Sequence, residues 1–209
     1  ATPEMIQQRI VPALLAVIDN RKIHEDIRGG ALIALARAEP TKKHLDRYFL
    51  VASPESDEHN LVKESAIIAL GILQVKDAEV REFLLGIVTN RNYPMRGRCF
   101  AMLSLGLLKD KHEDVHKALE ARLDDSEVHV DVPVCALLAM GLIGDESKVP
   151  QMVSWLESGS IGKNKLSDLE RAWVVTALGK IGHPDALKPI QKTLRGKGRY
   201  TRRSAVIAL

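Results

Sequence analysis

Aromatic residues are scarce, at 4% of 209 residues, which argues against a β-rich core and suits helices packed through Ala, Leu, Ile and Val. Cysteine occurs only at Cys99 and Cys135. Both lie inside apolar runs, so they are read as small buried hydrophobes, and two thiols in so long a chain give no disulfide framework. No run of eighteen apolar residues exists, so no membrane span is expected. A signal-peptide pattern is absent too. The chain opens Ala1-Thr2-Pro3-Glu4 without a Met and stops in mid-pattern at Ala208-Leu209. Both ends are expected to be edges of a longer or processed protein, which leaves the compartment open.

What is present is a balance of 45% apolar and 27% charged residues, the composition of a folded chain. The net charge of +3 hides an asymmetry. From residue 160 onward eleven basic residues face three acids, a net +8, so residues 1–159 carry −5.

One pattern recurs: a basic residue, two variable positions, a small residue, two more positions, then Ala-Leu-Gly or a relative. It reads Arg28-Gly29-Gly30-Ala31-Leu32-Ile33-Ala34-Leu35-Ala36 and Lys63-Glu64-Ser65-Ala66-Ile67-Ile68-Ala69-Leu70-Gly71. It returns from Arg98 to Gly106, from Pro133 to Gly141, from Arg171 to Gly179 and, cut short, from Arg202 to Leu209. The Leu or Met near each end falls at 35, 70, 105, 140, 178 and 209, at intervals of 35, 35, 35, 38 and 31. The small residues share one helical face, which lets two helices approach closely. The Gly that follows suits a thinning or terminating helix end.

A second amphipathic segment precedes each run: Ile10 to Ile18, His44 to Val51, Ala78 to Val88, Val115 to Leu123, Val149 to Leu156 and Ala186 to Leu194. Pro12, Pro150 and Pro189 are placed in the first turn of three of them, where a missing N–H costs little. Ser167 with Glu170 predicts a capping box. Helix, turn, helix, turn is a unit unable to cover its own apolar face, and stacking covers it.

The repeat resembles the HEAT family, particularly the short bacterial repeats of the phycobilisome-lyase-like group, over essentially the entire chain. The resemblance implies an all-α fold, a right-handed α-α superhelix (a HEAT-type solenoid) of about six helical hairpins with the last truncated. Residues 1–209 are then expected to form one solenoid domain. The family hosts scaffolds, lyases, glycosylases and hydroxylases, so the fold does not select an activity. The hydroxylases carry His-Glu pairs just after the basic residue. Here those places hold Gly29-Gly30, Glu64-Ser65 and Ala172-Trp173, so that chemistry is not expected. Pro133 interrupts the basic column, and Gly159 to Lys165 stretch the fifth interval.

In such repeats the basic residue pairs with an acid or a carbonyl in the preceding turn. Arg28, Lys63, Arg98, Arg171 and Arg202 are therefore expected to form an internal ladder, with Asp19, Asp26, Asp124 and Asp168 as candidate partners. The position two after the first small residue faces the inner surface in related repeats and is commonly charged. Here it is Ile33, Ile68, Leu103, Leu138, Thr176 and Ile207, continued one turn on by Ile72, Leu107 and Leu142 and preceded by Cys99 and Val134. Two readings stand. Ile68, Ile72, Leu103, Leu107, Val134, Leu138 and Leu142 form an apolar strip that receives a partner's segment on the concave face, or neighbouring parts of the polypeptide cover them.

A second candidate surface is the basic tract of Lys188, Lys192, Arg195, Lys197, Arg199, Arg202 and Arg203, either a solvated face or a polyanion site. With only Tyr200 available for stacking, single-strand recognition has little support. The third feature, His112-Glu113-Asp114-Val115-His116, matches the H-E-x-x-H zinc pattern. Its first His falls in the turn before the helix, however, and its second falls on the flank of a core face of Val115, Leu119 and Leu123, so coincidence is the reading.

The expected function is a non-catalytic scaffold that binds a protein partner on its concave face, with no cofactor and no metal. The alternative is nucleic-acid or polyanion binding by the basic C-terminal repeats, and the third reading is a HEAT-type lyase.

Overall fold

The computed structural model describes residues 1–123, 129 and 131–209. Among them the fold is all-α apart from one short hairpin. The chain divides into two compact units, Ala1–Leu108 and Lys109–Leu209.

In the first unit, α1 (Pro3–Met5), a π-helical stretch (Ile6–Ile10) and α2 (Val11–Asp19) follow one another without a break, and a short turn leads to α3 (Glu25–Ala38). There follow α4 (Leu45–Ala52), α5 (Asn60–Ile72), α6 (Ala78–Thr89) and α7 (Met95–Leu108). The repeat segments are α3, α5 and α7, and α5 packs between the other two. The preceding segments α2, α4 and α6 each lie against one of these second helices.

In the second unit the order is α8 (Glu113–Leu123), α9 (Asp131–Ile143), α10 (Val149–Ser158), β1 (Ser160–Ile161), β2 (Asn164–Lys165), α11 (Asp168–Ile181), α12 (Pro184–Thr193) and α13 (Arg199–Ala208). Here α11 packs between α9 and α13.

Caps explain where the helices begin. Nδ1 of His24, His59, His112 and His183 each accepts from the backbone N–H two residues on, at 3.2–3.3 Å, satisfying one of the free donors of the first turn. Ser167 and Glu170 form the expected capping box at α11.

Glycine has a different role from the one expected. Gly71, Gly106, Gly141 and Gly179 lie inside their helices and terminate none of them. A Cβ on Gly71 would sit 2.7 Å from Ser104 Cα, and one on Gly141 would sit 2.8 Å from Ala177 Cα, so these positions admit the backbone of the next second helix. Termination comes three residues later, at the left-handed positions Gln74, Lys109, Gly144 and Gly182. One proline also differs from expectation. α12 starts at Pro184, which puts Pro189 inside the helix, whereas Pro12 falls in the first turn of α2, as expected, just after the π-helical stretch.

Both helices of each hairpin supply the core: Leu32, Leu35, Ala66, Ile67, Leu70, Met102 and Leu105 of the second helices with Tyr48 and Leu84 of the first helices in the first unit, and Leu137, Val174, Val175 and Leu178 with Leu119 and Met152 in the second, all fully buried. Cys99 is buried and Cys135 half-buried, and neither is in a disulfide.

Candidate functional site

The basic column is largely an internal ladder. Arg28 Nε donates to Ile18 O at 3.0 Å, Lys63 Nζ to Pro54 O at 3.4 Å and Arg171 Nη2 to Leu156 O at 2.9 Å. Each reaches a carbonyl at or just beyond the end of the preceding helix, where acceptors lack intrahelical partners.

The acid partners are not those expected. The carboxylate on Arg28 is Glu58, from the loop of the following repeat, in a forked pair at 2.7 and 2.6 Å. Asp19 instead pairs with Arg47, and Asp26 lies 3.5 Å from His24. Asp168 accepts from Thr201 Oγ1 and from the backbone N–H groups of Tyr200 and Thr201, so it caps α13. Asp124 lies outside the described residues. Arg202 is exposed and joins no ladder among the described residues.

These contacts set opposite electrostatic conditions on two carboxylates. The Arg28 hydrogen bonds hold Glu58 below the usual carboxylate range, against the cost of burial. Burial pushes Glu64 up, although Arg96 approaches it at 3.0 Å. Next to it, Tyr93 donates to Ala52 O at 2.7 Å, and burial raises its hydroxyl to about 12.

The residues of the apolar strip occupy one well-defined kind of place. Ile68 and Ile72 on α5, Leu103 and Leu107 on α7, and Val134, Leu138 and Leu142 on α9 are all half-buried. Their neighbours Ile67, Ala69, Met102, Ser104, Leu137 and Ala139 are fully buried. The strip positions thus form an apolar edge on each of these three helices, partly open to solvent. Leu61 extends the edge of α5 by two turns and Phe100 that of α7 by one, and half-buried Trp173 lies one turn before Thr176 on α11. Sequence reading missed their part in the stripe, and the signal for them was the helical spacing 61–68–72, 100–103–107 and 173–176. Exposed Arg37, Arg96 and Lys180 flank the stripes with positive charge.

All seven residues of the basic tract are exposed. Lys192 approaches Glu157 at 3.9 Å, and the other six have no ion pair among the described residues. Lys192 and Lys197 enter a cleft of about 420 Å³ beside Arg171, but Glu157 and Asp168 line the same cleft, so its charge is mixed.

The zinc-like motif divides into two separate roles. His112 is the cap of α8, whereas His116 is 1% exposed, with Nε2 2.9 Å from Asp145 Oδ2 and no well-aligned hydrogen bond at either ring nitrogen. The expected flank position is therefore itself an interior one. Among the described residues no group of three His, Cys, Asp or Glu side chains is placed to hold a metal ion. No helix there is long and apolar enough to cross a membrane.

Comparison with known proteins agrees with this architecture. Residues 170–196 match the family model of the PBS lyase HEAT-like repeat. The crystal structure of an engineered protein matches at 15% identity with a TM-score of 0.52, covering 97% of this chain and 96% of that one. Human deoxyhypusine hydroxylase in complex with glycerol matches at 19% identity with a TM-score of 0.49, covering 99% of this chain and 74% of the enzyme. No curated protein matches the sequence. The chain is an all-α repeat protein whose hairpins resemble the PBS lyase HEAT-like repeats.

Proposed function

We propose that this protein is a non-catalytic scaffold whose second helices bind an apolar segment of a protein partner. One observation carries the reading. The position that related repeats commonly fill with charge is here Ile68, Leu103 or Leu138, half-buried beside a fully buried core. An apolar edge at a place that tolerates charge costs solubility and brings little packing, so it is retained for contact. A partner helix with apolar residues at helical spacing fits such an edge, each methylene it covers contributing about 0.8 kcal/mol.

The test is affinity capture with the wild-type chain, Leu103→Glu, Leu138→Glu and the surface control Lys192→Glu. The reading predicts a partner retained by wild type and Lys192→Glu and lost by both Leu variants, with helical content unchanged. Retention by the Leu variants contradicts it.

The exposure of the seven basic side chains favours a second reading, polyanion binding through counterion release. Under that reading a duplex-DNA gel shift weakens steeply with salt and is lost in Arg202→Glu/Arg203→Glu. No shift at low salt removes it.

A further inference from the structure

The residue five places before the basic residue of a second helix reaches back into the preceding repeat. Glu58, five before Lys63, forms its forked pair with Arg28 at 2.7 and 2.6 Å. Tyr93, five before Arg98, donates to Ala52 O at 2.7 Å. The corresponding residue before Arg202 is Lys197, and it lines one cleft with Arg171. A cation thus stands in the second unit where the first unit has a carboxylate.

Arg171 is held as Arg28 is, by a carbonyl in the last turn of the preceding helix, with Nη2 2.9 Å from Leu156 O. Its other donors are placed differently. Arg28 has both Nη atoms on Glu58, whereas Arg171 has no ion pair among the described residues and its Nε is buried without a hydrogen-bond partner. Lys192 and Lys197 line the same cleft of about 420 Å³, and Leu156, Leu166 and Pro189 give it an apolar wall. The two acids of the cleft are already engaged. Asp168 accepts from Thr201 Oγ1 at 2.6 Å and from the backbone N–H groups of Tyr200 and Thr201, and Glu157 lies 3.9 Å from Lys192.

The cleft does not depend on a further repeat. The equivalent cleft of the first unit is lined by residues between Ile18 and Glu58, and none comes from α5 or beyond. The elements that line the Arg171 cleft likewise run from the end of α10 to the start of α13.

We infer that Arg171, Lys192 and Lys197 bind the carboxylate of a small organic acid, which takes the place on Arg171 that Glu58 takes on Arg28. A guanidinium matches a carboxylate through two parallel hydrogen bonds, and Arg28 displays that geometry at this place in the repeat. The two ammonium groups add charge without fixing direction. The apolar wall accepts the carbon chain of the acid, and the cleft has the volume of a small-molecule site. The inference rests on neither reading of function given above, since Arg171 belongs to neither the apolar edges nor the basic tract.

Thermal unfolding in glutarate, inorganic phosphate or chloride, at one pH and one ionic strength, tests this with wild type, Lys197→Glu and Lys188→Glu. Lys188 is exposed and lies outside the cleft, so its variant makes the same charge change elsewhere. The midpoints of wild type and Lys188→Glu are expected to rise with glutarate above their values in chloride, because a ligand of the folded state stabilises it. Lys197→Glu is expected to unfold above both in chloride, since it rebuilds the Arg28–Glu58 arrangement, and to lose the response to glutarate. A wild type indifferent to glutarate overturns the inference, as does a Lys197→Glu that still responds. Loss of the response in Lys188→Glu as well reduces the effect to general charge and equally overturns it. A rise with phosphate alone assigns the cleft to phosphate and makes the carboxylate wrong. A Lys197→Glu midpoint in chloride no higher than that of Lys188→Glu contradicts the correspondence with Glu58.

Discussion

Arg28 and Glu58 are each almost fully buried and each supplies what the other lacks, so removing either leaves a charge without its partner. Glu58→Ala is expected to cost about 3–5 kcal/mol in urea unfolding, the range for breaking a buried pair. Because its folded-state pKa is lowered, Glu58 stabilises above the unfolded carboxylate value of about 4.3, and that contribution is lost as pH falls through the folded value. Glu64 works in the opposite sense. Its folded-state pKa is raised by burial, so the folded state binds more protons and stability declines as pH rises through that range. A pH series of unfolding midpoints should show Glu58→Gln flattening the acid limb and Glu64→Gln removing the loss on the way to neutrality. The basic column was legible in sequence because it repeats with the helices. Glu58 was not, because it comes from the loop of another repeat and no local spacing connects it to Arg28.

The second helices meet through backbone and small side chains, and this makes the effect of a methyl group depend on where it is placed. Gly71→Ala forces α5 and α7 apart at Ser104, and the expected loss is roughly 2 kcal/mol or more. Gly86→Ala in α6 meets nothing within 4 Å and is expected to gain about 0.5–1 kcal/mol from helix propensity alone. Thermal unfolding of the two variants checks both signs. Helix order and hairpin pairing were legible from the 35-residue period, since burial repeats with it. The function of the glycines was not, because a Gly near a helix end suits a stop and a close approach equally well, and only the neighbouring helix tells them apart. The β1–β2 hairpin carries too few residues to leave a periodic signal, and sequence shows it only as a longer interval.

For the molecule as a whole, what matters is which apolar residues are core and which are edge. Periodicity places Ile67 and Ile68, or Leu137 and Leu138, side by side on one helix, and composition cannot say which neighbour faces water. The structure separates them in both units, with the first of each pair fully buried and the second half-buried. The partner itself is not encoded in these contacts, so the candidate surface was legible as a pattern and its occupant was not. The most direct measurement compares urea unfolding of Leu103→Glu and Leu138→Glu with Leu105→Glu and Leu137→Glu. An edge role predicts a cooperative transition weakened by about 1 kcal/mol for the first two and by more than about 3 kcal/mol for the last two. If Leu103→Glu and Leu138→Glu unfold as readily as the core variants, these residues are structural and the docking edge does not exist.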